Sequence, residues 1–200
     1  MKTINYKSLM IAIGVLGFVF IVTTLHIVQT DYNPSQQLMS ELALGKHGAF
    51  MVLGFFSFSM AVFVAQQILA AYKNNSLVRI LLAFSSFSLA GAGLFKLDDY
   101  TMLHVALVSI AFVLIVMSMC LVPRLIPQLQ ERNGMTVCWA LGAGTAVAVA
   151  LGQSMLPIGI AQRLAAGCIL GWLLWLAVFH QKHMSRKTNG LLRTDEIELN

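Results

Sequence analysis

Three short stretches hold most of the side chains able to do chemistry. HIVQTDYNPSQQLMSELALGKHG, residues 26–48, carries His26, Asp31, Ser40, Glu41, Lys46 and His47. KLDDYTMLH, residues 96–104, carries Asp98, Asp99 and His104, and GIAQRLAAG, residues 159–167, carries Gln162 and Arg163. Three chemistries can be written with these groups. Neutral imidazoles plus a carboxylate suit zinc with an open position for water, which nominates His47, His104 and Asp98 as a metal set. No HxxxH or HExxH spacing supports it, so such ligands would have to converge from separate helices. Acid–base work on a lipid or lipid-linked ester would use His104 with Asp98, and Ser40 as nucleophile. Arg163 would then hold a phosphate, with Asp31 and Glu41 beside it as substrate-binding groups. Haem held by paired histidines is disfavoured, because His180 and His183 fall at the opposite membrane face from the other three.

The elements that must position these groups are set by composition. The chain has 200 residues, 58% hydrophobic and only 10% charged, with a mean hydropathy of +0.79. A soluble domain carries about 25% charged residues, so most of this apolar surface must face lipid. The net charge of +5 does not point to nucleic acid, because the basic residues flank apolar segments and are not interleaved with aromatics. Cys120, Cys138 and Cys168 are dispersed, which fits small apolar side chains within helices and no disulfide framework or thiolate site.

Six segments are long enough to span a bilayer as helices: 8–28, 47–72, 77–96, 101–122, 135–156 and 158–180. None shows the alternation of a barrel strand. The first is read as a retained helix, since its apolar run exceeds a signal-peptide core of about 7–15 residues and no A-x-A site follows. The expected fold is therefore all-α, a six-helix transmembrane bundle over residues 1–183 with a mobile cytoplasmic tail, 184–200. Lys2, Lys7, Lys73, Arg79, Arg124, Arg132, Lys182, Arg186, Lys187 and Arg193 fall on one side, and Lys46, Lys96 and Arg163 on the other. The positive-inside rule then places both termini in the cytoplasm. PRLIPQLQERNG, residues 123–134, reads as a connector. Gly142, Ala146 and Ala150 form a small-residue stripe suited to close helix packing.

Within residues 26–48, Asn33 and Pro34 form a helix-start signal and Gly45 a stop, which predicts a short helix over 34–44. Leu38, Met39, Leu42 and Ala43 would share its apolar arc, and Ser40 and Glu41 its polar face. Such a helix would lie in the outer interface as a lid. His26, His47, Asp98, His104 and Arg163 would then meet at about one depth. Arg163, near the start of a span, would want a carboxylate, with Asp98 or Asp31 as the partner. Plainer roles exist for several of these residues: Asp99 as a helix cap, Lys46 and Lys96 as snorkelling cations.

DYNPSQQLMSELALGKHG resembles the first outer loop of the bacterial and archaeal membrane family called domain of unknown function 998, with its Asp, Pro, Ser-x-Leu and glycine pair. GLFKLDDYTMLHVALVSIAF is similar to that family's second element, and GIAQRLAAGCILGWLL resembles its late Gln-Arg motif before a Trp-bearing span. The resemblance implies Asp31, Ser40, Gly45, Gly48, Asp98, His104 and Arg163 as the shared residues. It departs at Lys46 and Lys96, the latter standing where proline is usual, and His26 and His47 fall outside its pattern. The family is distantly similar to eukaryotic six-span proteins of the DRAM, Sfk and glycolipid-remodelling type, which implies lipid handling.

Two functional readings follow. In the first, an outer polar site of a multi-pass protein of the bacterial inner membrane handles a lipid headgroup, with membrane lipids as its partners. In the second, the protein is a non-catalytic sensor or assembly protein whose outer polar groups tie helices together through a salt bridge.

Overall fold

A computed structural model describes residues 5–72, 76–126, 133–152 and 154–198, with side chains as far as residue 186. Among the described residues there are six long helices and no strand. They are α1 (Tyr6–Val28), α2 (Phe50–Leu69), α3 (Ser76–Leu94), α4 (Thr101–Leu125), α5 (Gly134–Gly152) and α6 (Ile158–Glu198). All six contain a window long and apolar enough to cross a membrane. A helix satisfies its own backbone polar groups, which hydrocarbon cannot do for it.

Consecutive helices pack side by side, and α6 returns against α1 and α2 to close the bundle. In α2, 61% of the most apolar window is buried, against 28% in α1, α4 and α5, so α2 stands at the centre and those three face outward. Close packing around α2 depends on small residues. A Cβ on Gly14 of α1 would lie 2.6 Å from the Ser57 carbonyl oxygen, so nothing larger fits where the two helices approach. Between α2 and α3, Ser59 Oγ donates to the Ser86 carbonyl at 2.8 Å and Ser86 Oγ returns the bond to the Ser59 carbonyl at 3.0 Å. Ser85 Oγ donates across to Ala111 of α4 at 3.2 Å. In lipid, where apolar burial gives no net drive between helices, such bonds and close contacts hold the bundle.

Helix ends lie within a few residues of those read from the sequence, except at the last helix. There α6 continues beyond residue 184 as helix to Glu198. Most of the expected 123–134 connector lies outside the described residues, although α4 itself runs through Pro123 to Leu125. The stripe Gly142, Ala146 and Ala150 is not the packed face of α5. Only Gly142 is buried, and the inward positions are Cys138, Gly142, Thr145 and Ala148.

The expected outer helix over 34–44 is replaced by turns followed by a five-residue 3-10 turn, Met39–Ala43. Its backbone groups are committed elsewhere. The Pro34 and Gln37 carbonyls, which an α-helix would use internally, accept from the Arg163 guanidinium. The Ser35 carbonyl accepts from Gly159 N–H at 3.1 Å. Leu38 N–H is taken by the Glu41 carboxylate at 2.8 Å, and Met39 N–H by Gln162 Oε1 at 2.6 Å. With those groups engaged elsewhere, Gln37 N–H still reaches the Asn33 carbonyl at 2.9 Å, an i to i−4 bond, but the stretch continues as turns.

Candidate functional site

The end of the bundle where α4 and α6 begin divides into two environments. The first is built around Arg163, one turn into α6. Its Nη1 donates to Pro34 O at 2.6 Å, Gln37 O at 3.2 Å and Gly159 O at 2.9 Å, while Nη2 donates to the Tyr32 hydroxyl. The guanidinium also lies over the Tyr32 ring, 5.5 Å from its centroid. Tyr32 passes its own proton to the Leu38 carbonyl at 3.0 Å. Burial raises the Tyr32 pKa, with hydrogen bonding and charge from Arg163 opposing the shift. Gly159 permits the approach, since a Cβ there would run into the Pro34 and Gln37 carbonyls. Gln29 completes the fastening from α1, its Nε2 donating to Leu42 O and Lys46 O, both at 2.9 Å.

This corrects the expected salt bridge. Among the described residues no ion pair forms, and Arg163 is met by carbonyl oxygens and a phenol in place of Asp98 or Asp31. The planar guanidinium, with its fixed fork of N–H groups, suits several carbonyls at once. Asp31 and Asp98 are both exposed, and the Glu41 carboxylate is spent on Leu38 N–H and on Gln37 Nε2.

The second environment centres on His104, one turn into α4 and buried at 3% exposure. Its Nδ1 faces the carbonyls of Ala92 and Phe95, at 2.8 and 2.9 Å. Carbonyls only accept, so Nδ1 carries a proton, and Nε2 is the acceptor whenever the ring holds that proton alone. His104 thereby caps the C-terminal end of α3, where helical carbonyls lack partners. The Phe55 ring of α2 stands edge-on to it, 5.5 Å between centroids. Nε2 is shielded from water and has no hydrogen-bond partner among the described residues.

His104 also lines a cavity of about 530 Å³ between α4, α5 and the start of α6. Val108, Phe112 and Val116 of α4 and Val149 of α5 form its apolar walls, Ser40, His104 and Gln162 supply polar groups at the end where α4 and α6 begin, and Ser109 and Thr145 line it farther along. Ser40, in the 3-10 turn, is 2% exposed. Ser40 and His104 line the same cavity, yet Nε2 accepts no bond, so no Ser–His dyad is formed.

The remaining nominated residues do not converge. His47 is exposed in the left-handed region at φ 60°, and His26 is exposed with its ring edge-on to Tyr32. Among the described residues no group of three His, Cys, Asp or Glu side chains is placed to hold a metal. The proposed set His47, His104 and Asp98 therefore fails on geometry: one is buried with its proton held by carbonyls, and the other two face outward. Asp99 does not cap α4 either, since Tyr100 holds that position without a side-chain bond.

A family model described as "Protein of unknown function (DUF998)" matches residues 12–179, from within α1 to within α6. The chain belongs to that family. No curated protein and no solved structure matches it. The DUF998 match takes in both the Arg163 and the His104 environments, and its multi-span character agrees with the six apolar helices.

Sequence reasoning missed Tyr32, Gln29 and the role of Gln162 as backbone acceptor. Tyr32 and Arg163 are 131 residues apart, and no local spacing rule connects such positions. The available signal for Gln162 was its place beside Arg163 at the mouth of a span.

Proposed function

We propose that this DUF998 protein binds a lipid-class amphiphile at its outer face, in the groove between α4, α5 and α6. The observation that carries this reading is the arrangement of the cavity: mostly apolar along α4, with Ser109 and Thr145 as polar side chains along its length and Ser40, His104 and Gln162 gathered at one end. From His104 to Met117 the lining residues cover roughly 20 Å of helix at 1.5 Å per residue. That is somewhat more than one leaflet's share of a hydrocarbon core about 30 Å thick. An acyl chain would lie along Val108, Phe112 and Val116, and the polar group attached to it would rest beside Ser40 and Gln162. A hydroxyl, amide or ammonium donor on that group would supply the hydrogen bond that His104 Nε2 lacks. On our reading this end faces out of the cytoplasm, in the outer leaflet of a bacterial inner membrane, with both termini cytoplasmic; the excess of Lys and Arg on the terminal side supports that orientation.

Acid–base chemistry on the bound molecule is the second reading, favoured by the Ser40 hydroxyl sharing the cavity with His104. His104 Nε2 would accept a proton from Ser40 or from a ligand hydroxyl once the two came within about 3 Å. Asp98, exposed on the surface, has no part in it.

The test uses vesicles carrying a phospholipid with a photoreactive acyl chain. Crosslinks should map by mass spectrometry to α4 around Val108, Phe112 and Val116. His104→Asn keeps a donor near Nδ1 but has nothing at the Nε2 position, and should lose most of the crosslinking at unchanged melting temperature. Crosslinks spread evenly over all lipid-facing helices, or indifferent to His104→Asn, would overturn the proposal. Ser40→Ala separates the readings: product formation lost with crosslinking retained marks a nucleophile, and no product from wild type leaves a binding protein.

A further inference from the structure

A second groove lies at the other end of the bundle, on the seam where the first helix meets the last. It encloses about 570 Å³ between α1 and α6. Leu9 and Ala12 of α1 and Leu174 and Ala177 of α6 form its apolar floor, and Lys182 and Arg186 stand at its terminal rim. Beside it the seam is fastened: Ser8 Oγ donates to the Ala177 carbonyl at 2.9 Å, and Asn5 N–H to Gln181 Oε1 at 2.7 Å.

The two rim cations are four residues apart on one helix, an arrangement that repels unless an anion sits between them. No carboxylate stands three or four positions before or after either one. Both side chains are exposed. The next acidic residue on α6, Asp195, is nine positions beyond Arg186, roughly 13 Å along the axis. Lys7, the nearby cation of α1, is occupied by the Gln67 carbonyl at 3.2 Å and does not line the groove. From Leu174 to Arg186 the groove follows roughly 18 Å of helix, again about one leaflet.

We infer that this groove is a binding site for an anionic phospholipid of the leaflet at the terminal end. Its phosphodiester sits between Lys182 and Arg186, and one acyl chain lies over Ala12 and Ala177 between α1 and α6. The charge of the rim selects the anionic headgroup, and the apolar floor separates a lipid from a free phosphate. The site is independent of the outer groove, sharing no residue with it.

The full chain, purified in detergent, is titrated with phosphatidylglycerol, phosphatidylcholine of the same acyl chains, or glycerol phosphate, and bound species are counted by native mass spectrometry. Phosphatidylglycerol should bind on the order of tenfold more tightly than phosphatidylcholine, and glycerol phosphate should not be retained. Lys182→Gln with Arg186→Gln should erase that preference. Lys46→Gln with Lys96→Gln, which removes the same charge at the opposite end, should leave it intact. Ala12→Phe, which fills the floor at constant charge, should weaken phosphatidylglycerol binding even if the double charge variant does not fold. Equal binding of the two lipids by wild type, equal losses from both charge pairs, or retention of glycerol phosphate would each refute the site.

Discussion

Arg163 and His104 each stand one turn into a helix at the same end of the bundle, and the surroundings treat them in opposite ways. Arg163 is held by three carbonyls and a phenol, so its charge is spent inside the protein. His104 is held on one ring nitrogen, and the other has no partner among the described residues, beside a cavity. A polar group whose bonds are complete fixes a shape. A buried acceptor left incomplete costs on the order of 1–3 kcal/mol, and that cost is recovered when a donor arrives. The difference separates the part of the mouth that holds its form from the part that can receive something.

The largest effect should come from breaking the first part. Arg163→Ala takes the guanidinium from the Pro34, Gln37 and Gly159 carbonyls and from Tyr32, and should cost about 3 kcal/mol, read as a lower melting temperature in detergent. Arg163→Lys should recover only a fraction, since one ammonium cannot reproduce the fork. Full stability in Arg163→Ala would remove the contrast altogether. Gly159→Ala, which pushes a methyl into the same carbonyls, should cost about 1–3 kcal/mol without touching any charge. That would show that close approach, and not the cation alone, shapes the loop.

Smaller changes sharpen the second part. His104→Asn should change stability by less than about 1 kcal/mol, because a donor to the α3 carbonyls is kept, while lipid crosslinking falls. A melting temperature as low as that of Arg163→Ala would make His104 another structural fastening. Away from both regions, Ser59→Ala should cost about 0.6 kcal/mol, the usual scale for a bond between membrane helices, and should leave crosslinking unchanged.

The smallest effect is in pH. Burial holds the Tyr32 pKa above its ordinary value of 10.0 in the folded protein. The unfolded chain therefore releases that proton first as pH rises. Stability from this group is complete below pH about 10 and is lost as pH climbs through the higher folded value. Melting curves above pH 10 should fall less steeply for Tyr32→Phe than for wild type.

The six helices were legible because each is a long apolar run, and lipid demands little else of a spanning segment. His104, Ser40 and Arg163 were legible as polar residues at span ends. What they touch was not. The outer loop carries sound helix signals in Asn33, Pro34 and Gly45, and locally those signals are correct. They lose because Arg163, Gly159 and Gln162, more than 120 residues later, take the same backbone groups. The carboxylate partner for Arg163 was expected from charge alone, whereas carbonyls freed by an unwound loop serve equally well. The glycine at 45 drew attention as the turn residue, yet the left-handed position is His47.

The fastening of Tyr32 and Pro34 by Arg163 also sets an order of events during synthesis. The loop leaves the ribosome roughly 130 residues before the side chain that secures it. At about 5–20 residues per second that is a wait of roughly 10 s. Until α6 is inserted, the Pro34, Ser35 and Gln37 carbonyls have no partner from it, and this end of the bundle cannot close. Completion of the loop is thus a report that the last span has arrived, and a chain stopped after α5 would display that segment open to any protease or chaperone on its side of the membrane.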